Sequence, residues 1–176
     1  MVVRSLLIAA LFAIPCQAAP LGAPATFLPR PAEVRQVAQA ETFDIEEAGL
    51  TMQIPAGWKA SAHDDHWLVS NGDGRIAFIF QISGDSLKDT LEAFKLSQSK
   101  RLTEIVSDGP AKPDVINGIT TYDESGTAKM DSTPIIWSID VLQAKKVIAV
   151  YTIVETDAAK ANTADVSALL SSLRRK

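Results

Sequence analysis

The chain lacks most of the residues on which chemistry in a small protein relies. Its one cysteine, Cys16, has no partner for an intrachain disulfide. Its two histidines, His63 and His66, both sit in the stretch His63-Asp64-Asp65-His66. A Ser/His/Asp triad therefore has few possible bases, and neither a G-x-S-x-G elbow nor a serine–lysine signature is present. The glycine-rich Asn71-Gly72-Asp73-Gly74 lacks the lysine and the following helix that cradle a phosphate. Nor is there an excess of positive charge: 17 Lys and Arg against 21 Asp and Glu leave a formal −4. That balance lacks the basic footprint of a nucleic-acid-binding protein.

What is present begins with an export signal. MVVRSLLIAALFAIPCQAA carries one cation, Arg4, an uncharged apolar run from Ser5 to Ile14, and then small residues suited to a signal peptidase. The apolar run is about half of the roughly twenty residues a membrane-spanning helix needs, so the reading is a cleaved Sec-type leader and no transmembrane helix in the mature chain. A cut after Ala18 places Ala18 and Cys16 at the last and third-last leader positions, whereas a cut after Ala19 puts bulky Gln17 third-last. The alternative is a lipoprotein anchored through Cys16, but Pro15 stands where lipobox motifs carry Gly or Ala. Cleavage after Ala18 removes Cys16 and Arg4, so thiol chemistry is lost and 16 basic residues face 21 acidic ones, a formal −5. The 158 residues left of 176 suffice for one domain with a filled core.

Residues 19–42 read as a Pro/Ala-rich linker, with Pro20, Pro24, Pro29 and Pro31 preventing a continuous helix or paired strand. Its last ten residues fit one short helix with Val34, Val37 and Ala38 on one side. A single α+β domain is expected over 43–176. FDIE and LTMQI form a hairpin around Glu47, Ala48 and Gly49, and Pro55-Ala56-Gly57-Trp58 then delivers a core-plugging Trp58 to the extended WKASAH. His66–Ser70 and Ile76–Ile82 read as strands joined through Asn71-Gly72-Asp73-Gly74. The second has Ile76, Phe78, Phe80 and Ile82 on one face and Ala77 and Ile79 on the other, the pattern of a central strand covered on both sides.

Ser86-Leu87-Lys88-Asp89 matches a helix-capping pattern, and Leu87, Leu91, Phe94 and Leu102 recur near helical spacing. An amphipathic helix should lie there on the sheet, with Gly109, Pro110 and Pro113 marking a break after it. VINGITTYDESGTAKM, TPIIWSIDVLQ and KKVIAVYTIVE are three extended runs forming an antiparallel meander. The last is apolar on both faces and belongs deep in the sheet. A closing helix from about Ala159 carries Val166, Leu169, Leu170 and Leu173, and Arg174, Arg175 and Lys176 suit the negative end of its dipole.

This order of elements resembles the PsbP-like and DcrB-like group of exported domains. The likeness rests on Ile54-Pro55-Ala56-Gly57-Trp58, the capped helix after IAFIFQI, Ile116-Asn117-Gly118 at the opening of the meander, and the Leu169-to-Leu173 stripe. It covers roughly residues 43 to 174. The resemblance implies an α+β fold in which an antiparallel sheet is flanked by helices, an α/β/α sandwich. It also implies a binding or accessory role more than an enzymatic one, and brings no catalytic residues.

The sharpest chemical hint is the histidine pair. His63, Asp64, Asp65 and His66 are all competent ligands for a divalent metal, yet in a flat strand His63 and His66 point to opposite faces, and no third distant ligand stands out. A polar turn explains the same letters. Carboxylate pairs such as Glu46/Glu47, Asp64/Asp65 and Asp123/Glu124 read as solvated turns rather than glycosidase pairs. Trp67 and Trp137 read as core, with surface anchors for a partner as the rival. The expectation is an exported, periplasmic or secreted binding or accessory protein. It would be non-catalytic, without a cofactor, and would engage an envelope protein or small ligand. A small metal-binding protein using His63 and His66, and an unrecognised periplasmic hydrolase, are the alternatives.

Overall fold

The computed structural model describes residues 35–84 and 86–176. The export leader, Cys16, the cut after Ala18 and the linker up to residue 34 lie outside the described residues. Within them twelve strands and two helices follow in the order β1 (Arg35–Gln36), β2 (Glu41–Ile45), β3 (Leu50–Ile54), β4 (Lys59–Ala62), β5 (Trp67–Ser70), β6 (Ile76–Ser83), α1 (Leu87–Gln98), β7 (Thr103–Ser107), β8 (Lys112–Ile116), β9 (Ile119–Met130), β10 (Thr133–Gln143), β11 (Val147–Glu155), α2 (Thr156–Ser172) and β12 (Arg174–Arg175).

Short turns dictate the antiparallel order. Asn71 holds the β5–β6 turn: its side-chain oxygen accepts from the Ile76 amide at 2.9 Å and its own amide donates to the Ile76 carbonyl at 3.1 Å. Asn117 and Gly118 both take positive φ (49° and 78°), the geometry of a tight hairpin, and Ile116 pairs with Ile119 across it. The central sheet runs β1-β4-β5-β6-β11-β10-β9, antiparallel throughout. β8 and β7 share the outer edge of β9, at residues 119–123 and 126–129 respectively. The β2–β3 hairpin leaves this sheet and forms a second one with β12.

Alternation along the strands makes two cores. On one face Ile76, Phe78, Phe80, Ile148 and Val150 pack against the second sheet (Ile45, Leu50, Met52, Ile54), Trp58 and α2 residues Ala158 and Leu169. Ile79, Ile135, Trp137, Ile139, Val141, Tyr151 and Ile153 form the other face, covered by α1 through Leu91 and by Leu102. β6 and β11 are thus apolar on both sides, as their sequence predicts. The layering is helix, sheet, helix, with the small sheet beside α2.

Helix α1 begins where the capping pattern places it, the Ser86 hydroxyl accepting from the Asp89 amide at 3.2 Å. Four expectations are corrected. Arg35 and Gln36 form a strand against β4 rather than a helix, and Val37, 1% exposed, enters the core, so ordered structure starts within the stretch read as linker. Glu41 and Thr42 likewise already pair in β2. Pro113 does not break the chain but sits in β8, an outer strand in which a missing amide is tolerated. Arg174 and Arg175 do not finish α2: they pair with Leu50 and Thr51, and Lys176 bridges Asp44, at 2.8 Å, and Glu46. Those contacts raise the Lys176 pKa, with the Asp44 hydrogen bond first, and lower that of Asp44. The α2 carbonyls instead find Asn117, whose side-chain amide donates to Ser171 O at 2.9 Å and Leu173 O at 2.7 Å.

Candidate ligand cavity beneath helix α1

Helix α1 covers its face of the sheet incompletely. Ala93 and Ser97, one turn apart, line a cavity of about 260 Å³ that opens between the helix and strands β6 and β11. Its walls are mainly apolar: Ile79, Phe94, Leu102, Met130 and Ile153, with Tyr151 on the sheet side. Several of these project from doubly covered strands, so the sheet side of the cavity is rigid.

Its polar groups come from three places: Gln81 from β6, Tyr151 from β11, and Ser97, Gln98 and Arg101 from the end of α1 and the turn after it. The helix stops at Gln98, and the next turn folds back, the amides of Arg101 and Leu102 donating to the Gln98 carbonyl at 2.8 and 3.0 Å. That turn returns Arg101 and Leu102 to the cavity. Gln98 is 7% exposed, and its Nε2 has no hydrogen-bond partner in the protein. A buried donor left unmatched costs about 1–3 kcal/mol, which an acceptor on a ligand would offset. Burial pushes the Tyr151 phenol well above its ordinary pKa, partly countered by the charge of Arg101, so it stays neutral at physiological pH. Beside the cavity, Lys95 ties α1 to β9 through Glu124, N–O 3.1 Å, with Glu124 itself 6% exposed and taking a 3.0 Å bond from the Ser107 hydroxyl. The Glu124 hydrogen bond is the first cause of a raised Lys95 pKa.

The histidine segment lies elsewhere, in the turn between β4 and β5. The His63 amide donates to the His66 carbonyl at 2.8 Å, and this turn stacks the two rings with centroids 4.3 Å apart and planes 6° from parallel. The segment is therefore the polar turn that its letters allow, and the opposite-face placement of a flat strand does not arise. Parallel rings carry their lone pairs side by side rather than converging, and among the described residues no group of three His, Cys, Asp or Glu is placed to hold a metal ion. Each ring already has a partner: His66 Nδ1 lies 2.7 Å from Asp65 Oδ1, and His63 Nε2 lies 3.1 Å from the Ser61 hydroxyl. Burial, then the neighbouring His66, lowers the His63 pKa. The sequence-level search for a serine–base pair missed Ser61 because nothing in a strand marks that contact.

Trp58 and Trp137 are core residues, each 2% exposed, their indole N–H groups reaching Asp165 and Thr127 O at 3.4 and 3.2 Å. Trp67 is half-buried against the first core. No part of the α1 cavity was nominated from the sequence. The visible signal was the small pair Ala93 and Ser97 on a helix whose last residue, Gln98, is polar yet continues the buried side. An unfilled volume, however, depends on distances between elements that no local pattern encodes.

These layers and this strand order define a PsbP-like α+β fold. Solved structures share it: cyanobacterial PsbP (CyanoP) from Synechocystis matches with TM-score 0.55 and 12% identity, over 90% of this chain and 100% of that one. A crystal structure from Bacteroides thetaiotaomicron matches with TM-score 0.53 and 14% identity over 78% of this chain and 49% of that one, so the likeness spans about half of the longer protein. No family model and no curated protein matches the sequence. Among the described residues no helix is long and apolar enough to cross a membrane.

Proposed function

We propose that this is an exported, non-catalytic binding or accessory protein whose ligand enters the cavity beneath α1. The observation that carries the reading is the cavity itself: about 260 Å³, mainly apolar, with a few polar groups from β6, β11 and the end of α1, the usual composition of a small-molecule site. Gln98, Arg101 and Tyr151 supply hydrogen bonds and charge, and none is a nucleophile set against a base. The PsbP-like fold supports an accessory role by analogy alone, and export rests on the leader sequence. Fluorescence of the apolar probe N-phenyl-1-naphthylamine should rise on addition of the protein, and Ser97→Trp, which fills the cavity, should abolish the rise. Equal binding by that variant would remove the reading.

A second reading, hydrolysis at Ser61 with His63 as base, is favoured by their 3.1 Å contact. Against it, Asp65, the carboxylate that would orient a base, pairs with His66 instead. An active-site fluorophosphonate should leave Ser61 unlabelled; labelling lost in His63→Ala would establish the hydrolase. A resident metal at His63 and His66 would require one ring to leave the stack, and equal zinc uptake by His63→Ala/His66→Ala and the parent is expected.

A further inference from the structure

We infer that the cavity takes an uncharged, largely apolar molecule with one acceptor oxygen, such as a ketone or ester, and that this oxygen meets the Gln98 side-chain amide. The inference rests on the binding reading above and adds the ligand's charge and polar group. An apolar cavity of about 150 Å³ takes one benzene, so 260 Å³ has room for a larger apolar body. Ile79, Phe94, Leu102 and Ile153 line it with carbon alone.

Of the polar residues in the wall, one sets the ligand's hydrogen bond. Gln81, Ser97 and Tyr151 each both donate and accept, so they serve either kind of partner. Gln81 and Ser97 are also only half-buried, within reach of water. Gln98 differs: its side chain is more than nine-tenths buried, and its Nε2 has no partner in the protein. An amide nitrogen only donates, so the group that completes it is an acceptor. The absence of charge on the ligand follows from the rest of the wall. Arg101 already has a partner within the protein, and none of the described residues lining the cavity is acidic. A cation would find no counter-charge there, an anion only one already engaged, and either would exchange its water for mainly apolar walls. Burial already holds the Tyr151 phenol in its uncharged form against the opposing charge of Arg101, the same preference acting on one of the protein's own groups.

The test uses probes on one phenylpropyl skeleton, propiophenone, propylbenzene, 3-phenylpropanoate and 3-phenylpropylammonium, titrated calorimetrically into the purified protein. Propiophenone should bind about tenfold or more tightly than either ion. In Gln98→Leu it should lose about three- to tenfold, the worth of one net hydrogen bond, while propylbenzene stays within about twofold. Melting curves show whether each variant is folded. Should Gln98→Leu fail to fold, Gln98→Met removes the same donor from a flexible chain of similar length and gives the same comparison. Propiophenone binding undiminished in the variant, an equal loss by propiophenone and propylbenzene, or either ion binding as tightly as the ketone would overturn the inference and leave the cavity reading standing. Failure of both uncharged probes to bind the folded parent would overturn the cavity reading itself.

Discussion

The two faces of the central sheet are made from the same strands and closed in opposite ways. Toward α2 the sheet meets a second layer of three strands, a helix and Trp58, and the fully buried side chains there include Phe78, Phe80, Ile54 and Leu50. Toward α1 it meets a single helix that brings Ala93, Ser97 and Gln98 to the strands and leaves about 260 Å³ unfilled. Because β6 and β11 belong to both faces, the difference cannot come from the sheet. It comes from what each cover carries, and it separates a face that holds the fold together from one free to hold something else.

The largest expected effect should break the closed face. Phe78 is fully buried, with its ring 6.1 Å from that of Trp58, so Phe78→Ala should cost about 3–5 kcal/mol, read as a fall in the urea midpoint at unchanged slope. On the α1 side, a β-carbon at Gly126 would lie 2.0 Å from the Val106 carbonyl oxygen of β7. Gly126→Ala should therefore cost about 1–3 kcal/mol by forcing β7 away from β9. Faster hydrogen exchange confined to β7 and the end of α1 would locate the damage.

A smaller effect separates the polar part of the α2 face. Burial raises the Asp140 pKa to about 6, opposed by a hydrogen bond from Ser138 and reinforced by Asp123, its cross-strand neighbour. A carboxyl with its folded pKa raised contributes stability that is full below the unfolded value near 4 and lost as pH rises through about 6. Asp140→Asn should thus stabilise the protein by up to about 2 kcal/mol above pH 6, with the gain fading as pH falls toward 4. Chemical denaturation at several pH values checks the crossover. The smallest effect is expected on the open face, where Ser97→Leu adds carbon to empty space and should leave stability unchanged or raise it by about 1 kcal/mol. A loss there would mean that the cavity is already filled by its own walls.

Much of this architecture is legible in the sequence because it is written locally. The Ser86 cap, the Asn71–Gly74 turn and the two-faced pattern of Ile76–Ile82 each depend on neighbours a few residues away, and each appears where expected. What is not legible depends on distant partners. Arg35 and Gln36 are strand only because Lys59 and Ala60 lie beside them, and Arg174 and Arg175 turn from helix to sheet because β3 offers a free edge. The His63–His66 stack follows from a turn that returns the chain on itself. The cavity is the furthest from local pattern, since it records where side chains fail to meet. The basic Arg101 could be read as part of a solvated helix end until the turn after α1 is seen to return it to the cavity.

The central claim, that the α1 face is built to hold a ligand and the α2 face is not, is tested most directly by amide chemical-shift mapping on titration with N-phenyl-1-naphthylamine. The account predicts shifts concentrated in residues 91–102 of α1 and its following turn and at Tyr151–Ile153 of β11, with β2, β3 and α2 silent. Shifts centred on the second sheet and α2 would contradict it.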